Sequence, residues 1–130
     1  MKKWKGEKGK KVMKIYIAGR ITGLEPEEAE ANFVWGEILL ERAGHTPLNP
    51  LKLVDQCDSN EDGTLRTYGE QLADALRVLL TQAEGVYFLD NWQVSKGATI
   101  EHFIASMLSI PQYYQPDELP IGSDWPEVKL

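Results

Sequence analysis

With a single cysteine, Cys57, in 130 residues, the chain can form neither an internal disulfide nor a cysteine-based metal cluster. Histidine is almost as scarce. His45 and His102 lie far apart without ligand spacing, so both read as structural, and no metal or other cofactor is expected. No apolar run approaches the ~20 residues of a membrane span, and the lysine-rich start lacks the apolar stretch of a secretory signal. A cytoplasmic protein without a membrane partner is the expectation. Basic residues are sparse beyond the start. MKKWKGEKGKK holds six lysines against Glu7, a balance of +5, so the total of −6 leaves −11 on residues 12–130. Nucleic-acid grooves neutralise phosphates with Lys and Arg, so this acidic body argues against a nucleic-acid partner. Residues 1–12 read as a disordered basic extension, and Met13 is an alternative start.

What is present is ordinary globular material: 42% hydrophobic and 9% aromatic residues, enough to build one core in one domain. VMKIYIAG (12–19) is a strand ending in glycine. EPEEAEANFVWGEILLERAG (25–44) has acids at its start, apolar Ala29, Phe33, Ile38, Leu39 and Ala43, and a closing Gly44, the pattern of an amphipathic helix. HTPLNP (45–50) is a short strand ended by proline. A helix over 67–85, a buried strand VYFLD (86–90), a helix over 97–109 and a strand IPQYY (110–114) complete the pattern. Strands alternating with helices wind right-handedly into a parallel sheet covered on both faces. The expected fold is α/β: a small doubly wound, flavodoxin-like three-layer sandwich of about four strands in the order 2-1-3-4.

Ligands of such sheets sit beyond the carboxyl ends of the strands, where the strand order reverses. Two loops meet there, AGRITG after the first strand and DNWQVSKGATIE after the third. The first offers Gly19, Arg20, Thr22 and Gly23, with Tyr16 on the strand before it. Its backbone amides and guanidinium suit an anion, although it is neither a P-loop nor a dinucleotide fingerprint. The second carries Glu101 near a helix start. In the first turn a glutamate gains roughly 0.3–1 kcal/mol from the helix dipole. If Ser95 is the N-cap, Glu101 falls in the second turn, on a solvated face.

The segments MKIYIAGRITG, Asn32–Phe33, LNP and VYFLDNWQVSKGATIEHFIA together resemble the nucleoside 2-deoxyribosyltransferase-like superfamily over residues 13–114. The nearest resemblance is to its small bacterial and phage branch, a domain of unknown function (DUF4406-like). The S-x-G-A-x-x-E element is matched position by position by Ser95, Gly97 and Glu101. The resemblance implies that Glu101 attacks the anomeric carbon of a nucleoside or nucleoside 5′-monophosphate and that a covalent sugar intermediate passes to water or another base, the logic of retaining glycosidases. Serine at position 95, where transferases acting on unphosphorylated nucleosides tend to carry aspartate, tilts the expectation towards a nucleotide, with Arg20 and Thr22 across the cleft. The branch usually has proline where Arg20 stands. The alternative is a noncatalytic module that senses a nucleotide in the same crevice.

A departing base takes up a proton, and proton transfer contributes ~10²–10⁴-fold. Asp90 and Asp74 are the candidate acids. The family aspartate aligns nearer Ala75 or Leu76, so Asp74 fits only with a short insertion. Trp92 and Trp35 are candidates to stack on a base or to pack in the core. DSNEDGTL (58–65) starts like a calcium loop, but its twelfth position is Gly69 and Glu70 comes one residue late, so the bidentate ligand is missing. Residues 51–66 then read as a mobile polar loop over the site. Residues 115–130 form a proline-rich acidic tail that lies over a neighbouring subunit or is disordered. The resemblance also implies a homodimer or larger homo-oligomer.

Overall fold

The computed structural model describes residues 12–54 and 59–116. The basic extension up to residue 11, residues 55–58 with Cys57 and Asp58, and the tail from 117 onwards lie outside the described residues. Four parallel strands, β1 (Lys14–Ala18), β2 (Thr46–Leu48), β3 (Gly85–Phe88) and β4 (Gln112–Tyr114), form one sheet in the order β2-β1-β3-β4. The helices are α1 (Pro26–Arg42), α2 (Pro50–Leu53), α3 (Tyr68–Gln82) and α4 (Lys96–Met107). The α/β class, the parallel sheet and its order are those read from the sequence. None of the helices of the described residues is long and apolar enough to cross a membrane.

Alternate strand residues point to opposite faces, so the two central strands divide their side chains between two cores. Tyr16, Ala18, Val86 and Phe88 pack with Val78 and Leu79 of α3 and with Ala98 and Ala105 of α4. Ile15, Ile17, Tyr87 and Leu89 pack on the other face with Phe33 and Leu40 of α1. Burial on both faces is why IYIA and VYFL read as unbroken apolar runs rather than alternating ones.

Each long helix carries its boundaries in its residues. Pro26 opens α1, with Glu27 and Glu28 in the first turn and Arg42 in the last. Past its end Gly44 takes φ +86°, and the His45 N–H closes the turn onto the Leu40 carbonyl at 2.9 Å. A reciprocal capping box, Thr67 with Glu70, starts α3. His45 is buried, and its Nδ1 accepts from the Met13 N–H at 3.1 Å.

The structure corrects the expectation of a loop over 51–66. Pro50 does not merely end β2 but opens α2, because the Asn49 side chain caps it by accepting from the Leu51 N–H at 2.9 Å. Further on, Ser59 and Leu65 pair as an antiparallel bridge. Between them, Asp62 accepts from the N–H and hydroxyl of Thr64 at 3.0 and 2.7 Å, so the described part of the segment that resembles a calcium loop, residues 59–65, makes a hydrogen-bonded turn. A 3₁₀ turn, Trp92–Val94, also intervenes between β3 and α4.

Candidate functional site

The connections leaving β1 and β3 run to opposite faces of the sheet, and the carboxyl ends of these strands border a cleft of about 380 Å³. Its walls are the loop after β1, the ends of α2, the first turns of α3 and the start of α4. Glu101 lies within it. The Ser95 hydroxyl accepts from the Ala98 N–H at 3.1 Å and so caps α4, which puts Glu101 in the second turn, on the face turned towards the sheet. At 5% exposure it is no solvated partner of the helix dipole.

Tyr16, on the face of β1 that α4 covers, donates its hydroxyl hydrogen to Glu101 Oε2 at 2.6 Å. Burial pushes the Glu101 carboxyl up to about 7, and the Tyr16 hydrogen bond offsets part of that rise by favouring the anion. Burial, followed by the charge and hydrogen bond of Glu101, raises the Tyr16 pKa well above its ordinary value. The pair is therefore a neutral phenol steadying a carboxylate that ionises near neutrality. Such a carboxylate, with one oxygen held by the phenol, is suited to nucleophilic attack.

The rim of the cleft is cationic. The Arg20 N–H is held by Asn91 Oδ1 at 3.0 Å, which ties the loop after β1 to the loop after β3. The Arg20 side chain curls back, donating from Nε to the Thr22 carbonyl at 3.1 Å. Gly23 lies against that guanidinium with φ +91°; it shapes the turn but does not line the cleft. Gly19 is packed so closely that a Cβ there would lie 2.6 Å from Leu89 Cδ1. The Ser95 hydroxyl spans the cleft floor to the Gly19 carbonyl at a long 3.5 Å, so its capping role accounts for its firmest bond.

Three polar wall residues, Tyr68, Gln71 and Lys96, have no counterpart among the sequence candidates. Tyr68, the first residue of α3, reaches over Gly97, where a Cβ would stand 3.1 Å from its hydroxyl. Its pKa is raised by burial and then by the charge of Glu101. Lys96 places its ammonium 5.8 Å from the centre of the Tyr68 ring. The T-x-x-E capping box at Thr67 marks Tyr68 as a helix start, and Lys96 adjoins Ser95 in the motif, so both had a local signal. Of the apolar wall, Val54 and Val94 lie in segments the sequence places at the site and Ala75 lies where the family aspartate aligns, whereas Leu72 had no signal.

Of the sequence candidates, Tyr16, Gly19, Arg20, Thr22, Ser95, Gly97 and Glu101 line the cleft together. The other acids do not. Asp74 is held by Arg66 and, at 3.0 Å, by Arg77, and these partners hold its carboxyl below the usual range. Ala75, one residue on, faces the cleft instead. Asp90 stands on the other side of the loop, in a separate hollow with Asn32 and Trp35. Trp92 turns away too: it stacks on His102 at 4.4 Å and tilts onto Phe88 at 5.1 Å, because the 3₁₀ turn directs it to the aromatic cluster beside β4. Among the described lining residues Glu101 is the only carboxylate.

Residues 13–114 match the model of a family described as "Domain of unknown function (DUF4406)". No curated protein and no solved structure matches the chain.

Proposed function

The chain belongs to the DUF4406 family, and we propose that its cleft breaks the N-glycosidic bond of a nucleoside, preferably as the 5′-monophosphate. The resemblance of the S-x-G-A-x-x-E element to nucleoside 2-deoxyribosyltransferase-like enzymes supports this reading. The observation that carries it is Glu101: a carboxylate buried in a strand-end cleft, with one oxygen held at 2.6 Å by Tyr16. Its other oxygen attacks C1′ of the sugar, the C1′–N bond breaks with its electron pair going to the base, and the base takes up a proton. Water or a second base then displaces Glu101 from C1′ and loses a proton, which restores the carboxylate. Arg20 and Lys96 at the rim favour a phosphate at the 5′ end.

A noncatalytic nucleotide-binding module is the second reading, favoured by the ion pairs that draw Asp74 off the cleft while Ala75 takes the wall. Both readings meet one experiment: incubation with a panel of ribo- and deoxyribonucleosides and their 5′-monophosphates, scored for free base and for binding. The catalytic reading expects base release, faster from monophosphates, with Arg20→Ala erasing most of that preference. Binding without release across the panel selects the sensing module. Equal handling of nucleosides and monophosphates rejects the phosphate assignment.

A further inference from the structure

The hollow that holds Asp90 is adjacent to the cleft. It encloses about 170 Å³ between Asn32 and Trp35 of α1 and the strand-end residues Leu89, Asp90, Asn91 and Gln115. The wall between the two spaces is thin and well defined. Gly19 of the cleft packs directly on Leu89 of the hollow, and the Arg20 N–H of the cleft is bonded to the Asn91 side chain of the hollow at 3.0 Å. Both spaces open at the carboxyl ends of the strands, on either side of the point where the strand order reverses.

The chemistry of the hollow is that of a nucleoside subsite. Trp35 is 51% exposed beside it, so among the described residues its ring leaves a face available for stacking. Neither the Asn32 amide nor the Asp90 carboxylate makes a hydrogen bond among the described residues, whereas the Asp90 N–H is fixed by Gln115 Oε1 at 2.9 Å. The loop is thus held while its carboxylate stays available. At about 170 Å³ the space is below the ~300–1,000 Å³ that encloses a whole small ligand, and is suited to one ring lying on the indole. A carboxylate accepts from ribose hydroxyls, and the Arg20 guanidinium beside the wall can pair with a pyrophosphate.

We infer that the hollow is the second nucleoside subsite of a dinucleotide ligand, with the ring on Trp35, the ribose hydroxyls on Asp90 and the pyrophosphate over the wall at Arg20. This inference rests on the nucleotide reading of the cleft and adds a ligand class to it. Stacking on an indole tolerates any base, because every base presents a π-face, so adenine serves as the probe.

Calorimetry with adenosine 5′-monophosphate and with diadenosine 5′,5′-pyrophosphate tests it on the full chain. The dinucleotide is expected to bind about tenfold tighter or more, the scale of one base–aromatic stack. In Trp35→Ala its affinity should fall to that of the monophosphate, and Asp90→Asn should remove part of the difference. Trp35 is a half-exposed helix position, so alanine preserves the fold, which a thermal scan verifies. Equal affinities in the native protein, or an advantage that survives both substitutions, would overturn the second subsite. Monophosphate binding and base release would still stand in that case, so the cleft's function would be unaffected. Binding of neither ligand would overturn both.

Discussion

A carboxylate enclosed by a core resists ionisation, and Glu101 ties stability to pH in a definite direction. Its folded-state pKa of about 7 lies above that of an exposed glutamate in the unfolded chain, ~4.3. The folded state therefore holds the extra proton between these values, and stability is lost as pH rises through about 7. Glu101→Gln imitates the protonated form and keeps an acceptor for Tyr16. It should raise the unfolding free energy at pH 8 by on the order of 3 kcal/mol relative to the native protein, and leave it nearly unchanged at pH 4. Paired denaturant titrations at the two pH values measure this; a loss of stability at pH 8 would mean that Glu101 is a stabilising ion rather than a constrained one. In the proposed mechanism the anion is the attacking form, so base release should climb through about pH 7 in the native protein.

Among the elements, α3 governs one wall of the cleft. The box of Thr67 and Glu70 fixes its first turn, and Tyr68 sits on that turn. Thr67→Ala removes the cap and should cost ~1 kcal/mol, read as a lower denaturation midpoint, together with weaker nucleotide binding. Unchanged binding would show that Tyr68 does not depend on the cap. This helix also shows where sequence reading stops. Amphipathic spacing predicts the helix itself, while its capping box, whose local signal is T-x-x-E, is found in the structure. Which of Asp74 and Ala75 meets the cleft depends on the rotation of the helix about its axis. That rotation is tied to Arg66, a residue of the preceding loop that captures Asp74. Periodicity carries no such information. Likewise Pro50 reads as the end of a strand, and only the Asn49 side chain turning onto the Leu51 N–H makes it the start of α2.

For the whole molecule, the sheet order was legible because right-handed crossovers leave few topologies for this succession of strands and helices. The strand ends then placed Tyr16, Arg20, Ser95 and Glu101 on one cleft without any knowledge of side-chain contacts. Trp92, left open between stacking on a base and packing in the core, packs on the aromatic cluster, and Asp90 stands outside the cleft, because the loop after β3 sends consecutive residues to different faces through its 3₁₀ turn and the Asn91 bond. On its outer surface α4 leaves Phe103 and Met107 64% and 68% exposed, one turn apart. Together with the two edge strands, β2 and β4, these residues favour self-association. Light scattering should report at least twice the 14.7 kDa of one chain, and Phe103→Glu should lower that mass. A monomer at micromolar concentration would remove the shared interface.

The covalent role proposed for Glu101 is tested most directly by intact-protein mass spectrometry after incubation with a 2-deoxy-2-fluoro nucleoside 5′-monophosphate, whose fluorine slows release of the sugar from the protein. The native protein should gain one glycosyl mass, the modified peptide should contain Glu101, and Glu101→Gln should gain nothing. Base release that continues undiminished in Glu101→Gln, with no adduct on the native protein, would contradict the account.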